Sequence, residues 1–420
     1  MSTHTRRIGL SLGADLCWPL CFEEILRRYD PTLEIGGESV RFEVERVSIE
    51  PYDLLQPTRY DVILDRVTHW YHPTREWIKK AILLDGVYVL NNPWSLQSME
   101  KQTTYCAMMR LGLPVPDTWM VPPKEYAQSA DLGPTLERYA RMFDLGEVGT
   151  QLGYPMYMKP YDGGAWKGVS RIDDEGQLRA AYEQSGELVM HMQKSIEGFD
   201  YFSRCVGVGA QVRIINYDPS AALHERYVVD QGELSAEDKQ VLEDMTLTIN
   251  TFFGWDFNSC EALRQGGVWH PIDFANACPD SQVTSLHYHF PWLVQAKLKW
   301  ALFCAATRRA KPLNLDWAPY LRIVDKDPDM PVVERLAAFG KIARERLQTE
   351  EFEAFCADKL DGLDSVVMEY FTSDHARDAI RQKVASLFPE HEVDHFTNHF
   401  WERIQLWRSH ENARLSKAGA

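Results

Sequence analysis

The chain has 420 residues, of which 45% are hydrophobic and 25% charged, and its formal net charge is −16. These values suit a soluble globular protein of two or three domains, and the acidic balance argues against a nucleic-acid backbone or an anionic membrane as the main partner. No apolar run approaches the roughly 20 residues of a membrane span. Residues 1–7 are polar and lack the apolar stretch of a signal peptide, and the eight scattered cysteines contain no CxxC pair. A reduced, cytoplasmic protein is therefore expected.

The first predicted element is a strand over 6–13 (RRIGLSLG), followed by an amphipathic helix over 19–29 with proline at its start. Strands are predicted over 41–49, 60–65 and 87–92, with a helix over 74–84. Strands alternating with helices predict a small parallel α/β layer, an N-terminal domain over 1–96. A helix over 97–111 comes next. The segment GLPVPDTWMVPP then has four prolines in 12 residues and predicts an extended connector. A helix and loop over 131–151 lead to a strand-rich stretch. Its strands fall at 154–160, 168–172, 187–196, 201–215, 223–229, 257–263 and 268–274, with helices at 175–184 and 235–253. Beyond 285 the pattern turns helical, over 291–309, 330–348, 350–360, 375–387 and 391–416.

Two groups of residues carry chemistry. In YMKPYDGGAWKGV, Lys159 ends an apolar strand and the glycine-bearing loop 162–168 follows. Glycines let backbone N–H groups converge on oxygen anions, so the loop can cover a triphosphate, with Lys159 and Lys167 as point charges. A plain hairpin fits the same residues equally well, and no GxxxxGK[ST] loop is present. Downstream, Glu261 and Asp273 lie on two strands joined by Gly266-Gly267, with Asn276 three residues beyond Asp273. Such a hairpin sets the carboxylates side by side, and with an amide oxygen they suit Mg²⁺. Taken alone, it also reads as a solvated hairpin.

The order of the parts is informative. Lys101 with GLPVP, the KP-plus-glycine loop, QKSIEGFD and the carboxylate hairpin together resemble the ATP-grasp superfamily over residues 98 to 285. The branch most similar contains ribosomal-protein glutamate ligases, glutathione synthetases and D-alanine–D-alanine ligases. The resemblance implies an α/β chain with two α+β lobes clasping ATP over 97–310, the lid lobe spanning about 120–192, followed by a helical extension over 311–420. It implies that Lys101 and Lys159 contact the phosphates, and that Asp162, Gly163, Gly164, Lys167 and Gly168 form a phosphate lid. Residues 190–193 would be an inter-lobe hinge, with Met190 and Met192 reading adenine through the backbone and Gln193 standing where a ribose-binding Glu is usual. Asp200 would close the step after the hinge. Arg204 and Arg226 would face the γ-phosphate and the acyl phosphate as catalytic groups, and Glu261, Asp273 and Asn276 would hold Mg²⁺. Three departures stand out: Gln193 for Glu, Asp273 for Glu, and D-x-x-N spacing where the family has E-x-N, an extra residue that a bulge could absorb.

The implied activity is Mg-ATP-dependent ligation of a carboxylate to an amine through an acyl phosphate. The substrates would be amino acids, small acids or peptides, and a homodimer is common among relatives. A kinase on the same scaffold and a degenerate ATP-binding sensor are the rival readings. Arg66, His69 and Arg75 are candidates for an acceptor wall, as are Asp280, His287 and His289, the two histidines alternating as on a strand. His391, His395 and His399 are spaced as a stripe on one helix face, for which a solvent-facing polar stripe is the preferred reading over a metal site.

Overall fold

The computed structural model describes residues 3–67, 71–98, 101–127, 129–161, 167–230, 232 and 234–418. The chain divides into two compact units, one made of residues 1–97, 203–259 and 277–420, the other of residues 98–202 and 260–276. The expected mixed α/β class with a helical C-terminal region is what the chain shows. No described helix is long and apolar enough to cross a membrane.

The first unit opens with β1 (Thr3–Ser11), α1 (Cys17–Tyr29), β2 (Thr32–Ile35), β3 (Glu38–Arg46), β4 (Val62–Asp65), α2 (His72–Asp85) and β5 (Tyr88–Leu90). The strands order β2-β3-β1-β4-β5. β1 runs parallel to β3 and β4, and β4 parallel to β5. Every residue of β4 is buried, as expected of a parallel strand covered on both faces. One face packs Ile63 and Val89 against Ile78, Ala81 and Ile82 of α2.

In the second unit lie α3 (Lys101–Arg110), β6 (Thr118–Val121), α4 (Leu132–Tyr139), α5 (Leu145–Leu152), β7 (Met156–Pro160), β8 (Ser170–Ile172), α6 (Glu175–Ser185) and β9 (Met190–Lys194). The strands order β6-β9-β7-β8, and each neighbouring pair is antiparallel. Strand period decides what each face does. Met156 and Met158 of β7 and Met190 and Met192 of β9 join a core with Leu145, Leu152 and Leu178 from α5 and α6. The intervening Tyr157, Lys159, His191 and Gln193 fall on the other face.

Two strands cross from one unit to the other along the chain, β10 (Tyr201–Val208) and β12 (Phe257–Gln265). β11 (Gln211–Asn216) pairs antiparallel with β10 in the first unit, and α7 (Ala236–Phe253) follows it. β13 (Val268–Asp273) pairs with β12 in the second. Gly266 and Gly267 both take positive φ, +56° and +80°, the two-residue turn that matches strand twist.

The remainder of the first unit is helical: α8 (Val283–Leu286), α9 (Phe290–Thr307), α10 (Ala318–Lys326), α11 (Val332–Leu347), α12 (Thr349–Lys359), α13 (Leu363–Tyr370), α14 (Asp374–Ala385) and α15 (Val393–Ala418). α9 is buried almost all round, which explains its lack of an apolar stripe. α15 buries Phe400, Ile404 and Trp407.

Several expectations need correction. The proline-rich connector contains a strand, β6. Residues 223–229 form no strand and make one isolated bridge, Tyr217 to Tyr227. His287 and His289 sit in a 3₁₀ turn between α8 and α9 and do not alternate on a strand. His391 lies in a 3₁₀ turn before α15, so the stripe of three histidines is not one helix face.

Candidate functional site

The second unit gathers most of the residues singled out above. Lys101 begins α3 and is buried, its Nζ 3.5 Å from Asp273 Oδ2. Lys159 on β7 is 7% exposed. It donates to Gln193 Oε1 at 2.7 Å and to the Ile272 carbonyl at 3.2 Å, and it lies 5.3 Å from the centre of the Tyr105 ring. β7 pairs Lys159 with His191 and Tyr157 with Gln193, so Lys159 and Gln193 are diagonal neighbours on one face. Burial pushes the Lys159 ammonium down to about 8; the Asp273 and Glu261 carboxylates oppose this, while Lys101 adds to it.

The carboxylates are strand partners. Glu261 on β12 stands opposite Asp273 on β13, and the register shifts between Glu261 and Ala262. Ala262 pairs with Pro271, so Ile272 is the extra residue of a bulge. Its carbonyl accepts from Lys159 and from the Tyr105 hydroxyl, at 3.0 Å for the latter. The bulge thus lies on the N-terminal side of Asp273, not between Asp273 and Asn276. Asn276 reaches back by itself, its Nδ2 3.4 Å from both the Asp273 carbonyl and Oδ1.

Other parts fall differently. Gln193 is engaged by the protein: Oε1 accepts from Lys159 and Nε2 donates to Thr118 Oγ1 at 2.9 Å. It orients Lys159 where a ribose ligand was expected. The backbone of Met190 and Met192 is engaged within the sheet, because β9 is paired on both edges across 190–193, with β6 and with β7. Their side chains are core. Asp200 is held by Arg264 through two bonds of 3.0 and 2.9 Å. Lys167 and Gly168 are exposed, and Asp162, Gly163 and Gly164 lie outside the described residues.

Arg204 and Arg226 belong to the first unit. Arg204 lies against the rings of Tyr217 and Tyr227 at 5.6 and 5.5 Å, with Ser259 Oγ 3.5 Å away. Arg226 donates to the Ala221 carbonyl at 3.1 Å. Arg66 is buried and donates to the Pro279 carbonyl at 2.9 Å, a structural role. Arg75 is half-buried on α2, His69 lies outside the described residues, and Asp280 accepts from Gln282 N and Ser285 Oγ. A cavity of about 350 Å³ in this unit is lined by Ser11, Val47, Tyr60, Val67, Thr74 and Trp77, beyond the carboxyl ends of β1, β3 and β4.

Sequence reasoning missed two participants, Tyr105 and Gln102, and gave His191 only a place in the hinge 190–193. His191 Nε2 meets Gln102 Oε1 at 3.1 Å, and burial followed by the charges of Lys159 and Lys101 pushes it down to about 4. Burial and then the carboxylates of Asp273 and Glu261 push the Tyr105 phenol well up. The α3 spacing 101, 102, 105 was readable as one helix face but carries no chemical signature by itself.

The donor set fits the group expected there. Two carboxylates in register and one amide are hard oxygen donors, the kind Mg²⁺ takes. Two buried ammonium groups beside them match the charge of the carboxylates and suit phosphate oxygens.

No protein-family model matches the sequence, and no curated protein matches it. Among solved structures, the chain is similar to D-alanine–D-alanine ligase from Bacillus anthracis complexed with ATP, at 16% identity over 72% of this chain and 98% of that one, TM-score 0.48. A second structure of D-alanine–D-alanine ligase from the same organism gives 17% identity over 72% and 98%, TM-score 0.48. The chain is also similar to a RimK domain protein of ATP-grasp type from Sphaerobacter thermophilus, at 14% identity over 70% and 99%, TM-score 0.45.

Proposed function

We propose that the chain is a Mg-ATP-dependent carboxylate–amine ligase of the ATP-grasp type. The observation that carries the reading is the convergence of Lys101 and Lys159, both buried, on the strand-paired carboxylates Glu261 and Asp273. The ordered motifs of the sequence support it independently.

In this reading a carboxylate oxygen of the acid substrate bonds to the γ-phosphorus of ATP as the β–γ bridging P–O bond breaks. ADP leaves, and an acyl phosphate forms. An amine nitrogen then attacks the acyl carbon, phosphate departs with the C–O electron pair, and the amine loses a proton. Mg²⁺ held by Glu261, Asp273 and Asn276 would offset phosphate charge when bound. Lys101 and Lys159 hold phosphate oxygens, and their fixed positions lower the cost of reorganisation during transfer. Gln193 and the Ile272 carbonyl fix Lys159 in place. No nucleophilic side chain is needed. The acid and amine are small molecules or peptides.

The test is an ADP-release screen of amino acids, small acids and short peptides, singly and in pairs, with Mg²⁺. Ligation predicts that ADP and phosphate release depend on both an acid and an amine, and that Asp273→Asn abolishes both. ADP release without amine dependence points to a kinase. Tight ATP binding with no turnover on any pair points to a sensor.

A further inference from the structure

We propose that His224, Glu225 and His399 form a transition-metal site, of zinc type, in the first unit. It lies far in sequence from the carboxylate hairpin and uses a different donor chemistry.

The spacing of the three side chains admits one metal ion. One ligand atom from each of the three residues lies within 4.8 Å of the other two. Two imidazoles and a carboxylate are the borderline donors that suit zinc, and three protein ligands leave one position for water. The segment between β11 and α7 contributes His224 and Glu225, adjacent in sequence, and α15 contributes His399. The imidazoles of His224 and His399 stand nearly perpendicular, 5.7 Å between centres, so two ring nitrogens can meet at one point without stacking.

Three further features fit. First, His399 Nε2 is buried and has no hydrogen-bond partner among the described residues. A buried imidazole nitrogen left so is costly, and a bound cation offsets the cost. Second, the surroundings are apolar and rigid. Phe396 and Phe400 of α15 pack edge-on to His224, at 5.3 and 6.5 Å between centres. Such a shell limits water and fixes ring orientation. Third, Arg403 lies 4.0 Å from Glu225 Oε1, one turn along α15 from His399. A carboxylate has a second oxygen to offer, so Arg403 serves as an outer partner that orients the ligand.

His287 stands near this group. It is 2% exposed, and its Nδ1 accepts from the Tyr288 backbone N–H at 2.7 Å, so the ring's proton resides on Nε2. Its φ is +28°, a backbone conformation that a bulky residue rarely adopts. Arg403, His399 and His224 are the charged or titratable groups that act on it.

The consequence is positional. The segment that carries His224 and Glu225 also carries Arg226 and Tyr227, and the Tyr227 ring packs on Arg204. That segment forms no strand; it carries one isolated bridge, Tyr217 to Tyr227, and backbone bonds from Asp218 N to the Arg226 carbonyl and from Val228 N to the Asn216 carbonyl. A metal joining it to α15 would hold Tyr227, and through it Arg204, in place.

The full chain, freed of metal with a chelator, is dialysed against Zn²⁺ and its bound metal measured, then titrated with Co²⁺ and followed by visible absorption. We expect one equivalent of zinc that survives Asp273→Asn, and Co²⁺ bands of tetrahedral intensity. His399→Ala and Glu225→Gln should each weaken binding by at least about tenfold, the lower bound set by losses at outer-sphere partners alone. His391→Ala, an exposed neighbour outside α15, should leave binding unchanged. Zinc should raise the melting temperature of the wild type and of Asp273→Asn, and raise that of Glu225→Gln, an exposed substitution that leaves the core intact, by less at the same zinc concentration. The proposal is overturned if the wild type binds no more zinc than a His224→Ala/His399→Ala double variant. It is equally overturned if Asp273→Asn, and not His399→Ala, removes the metal.

Discussion

Lys159 is held from two strands at once, by the Gln193 amide oxygen on β9 and by the carbonyl of Ile272 on β13. A buried ammonium so fixed has little freedom left to lose when a phosphate arrives, which is the physical meaning of preorganisation. Lys159→Met keeps the length and removes the charge. It should lower ATP-dependent ADP release by about a hundredfold or more, the cost of one preorganised charge at a reacting phosphate. Circular dichroism should report an unchanged fold, because burying a thioether is easier than burying an ammonium. Asn276 allows a finer test. Its amide nitrogen donates to Asp273 Oδ1, and a flip of the amide would bring its oxygen there to meet a shared cation. Asn276→Ala should raise the Mg²⁺ concentration needed for half-maximal activity by about tenfold. The turnover at saturating Mg²⁺ should change far less, and an unchanged Mg²⁺ requirement would remove Asn276 from the ligand set. Lysines and acids in ordered motifs were readable in the sequence at this scale because charge is written in the residue type. Gln193 was misjudged because its partners, Lys159 and Thr118, are set by strand register.

At the scale of elements, glycines separate two kinds of turn. Gly209 turns β10 into β11 with φ +57°, and a Cβ there would come within 2.0 Å of the Trp300 ring on α9. Gly267 has φ +80° in the β12–β13 turn, and a Cβ would meet nothing within 4 Å. Gly267→Ala should therefore cost only the left-handed backbone term, about 1–2 kcal/mol. Gly209→Ala carries that term plus overpacking, about 2–5 kcal/mol in all. Urea unfolding monitored by tryptophan fluorescence measures both, and equal losses would mean that Trp300 moves aside freely. Patterns of local origin were legible here: β7 and β9 alternate methionine with polar residues, α7 opens on the cap Ser235, and the Gly266-Gly267 turn announces its hairpin. Long-range pairing was not. β6 hid among prolines because its place depends on β9, to which Thr118–Val121 is hydrogen-bonded. The segment 223–229, ending in Tyr227-Val228-Val229, suggested a strand, yet its one bridge is isolated, Tyr217 to Tyr227. Residues 190–193 suggested a hinge because their sequence neighbourhood matched, whereas both of their edges are spent on sheet partners.

The stability of the whole molecule carries a signature of its buried histidines. His287 and His289 are 2% and 1% exposed. Burial is the first cause that pushes each down to about 3 from 6.5, with Arg403 next for His287 and Arg213 next for His289. His289 donates from Nε2 to the Val228 carbonyl at 3.0 Å, while its Nδ1 is buried without a partner among the described residues. A proton added there would have no acceptor. The folded pKa values therefore lie below those of the unfolded chain. Between about 6.5 and about 3 the unfolded chain binds protons that the folded chain refuses, so stability falls as pH drops through that window and is fully present above it. Each histidine contributes a slope approaching about 1.4 kcal/mol per pH unit. Ordinary carboxylates titrate mostly below about pH 5, so a loss that begins between pH 7 and about 5 belongs to histidine. Urea unfolding of the metal-free chain at several pH values in that range should show stability declining on acidification. His289→Gln keeps a donor for Val228 and removes the titration, so it should flatten the decline by one histidine's share while leaving stability near pH 7.5 within about 1–2 kcal/mol. A variant with the same slope as the wild type would show that His289 is protonated in the folded state, and that water reaches the core between the 3₁₀ turn and residue 228.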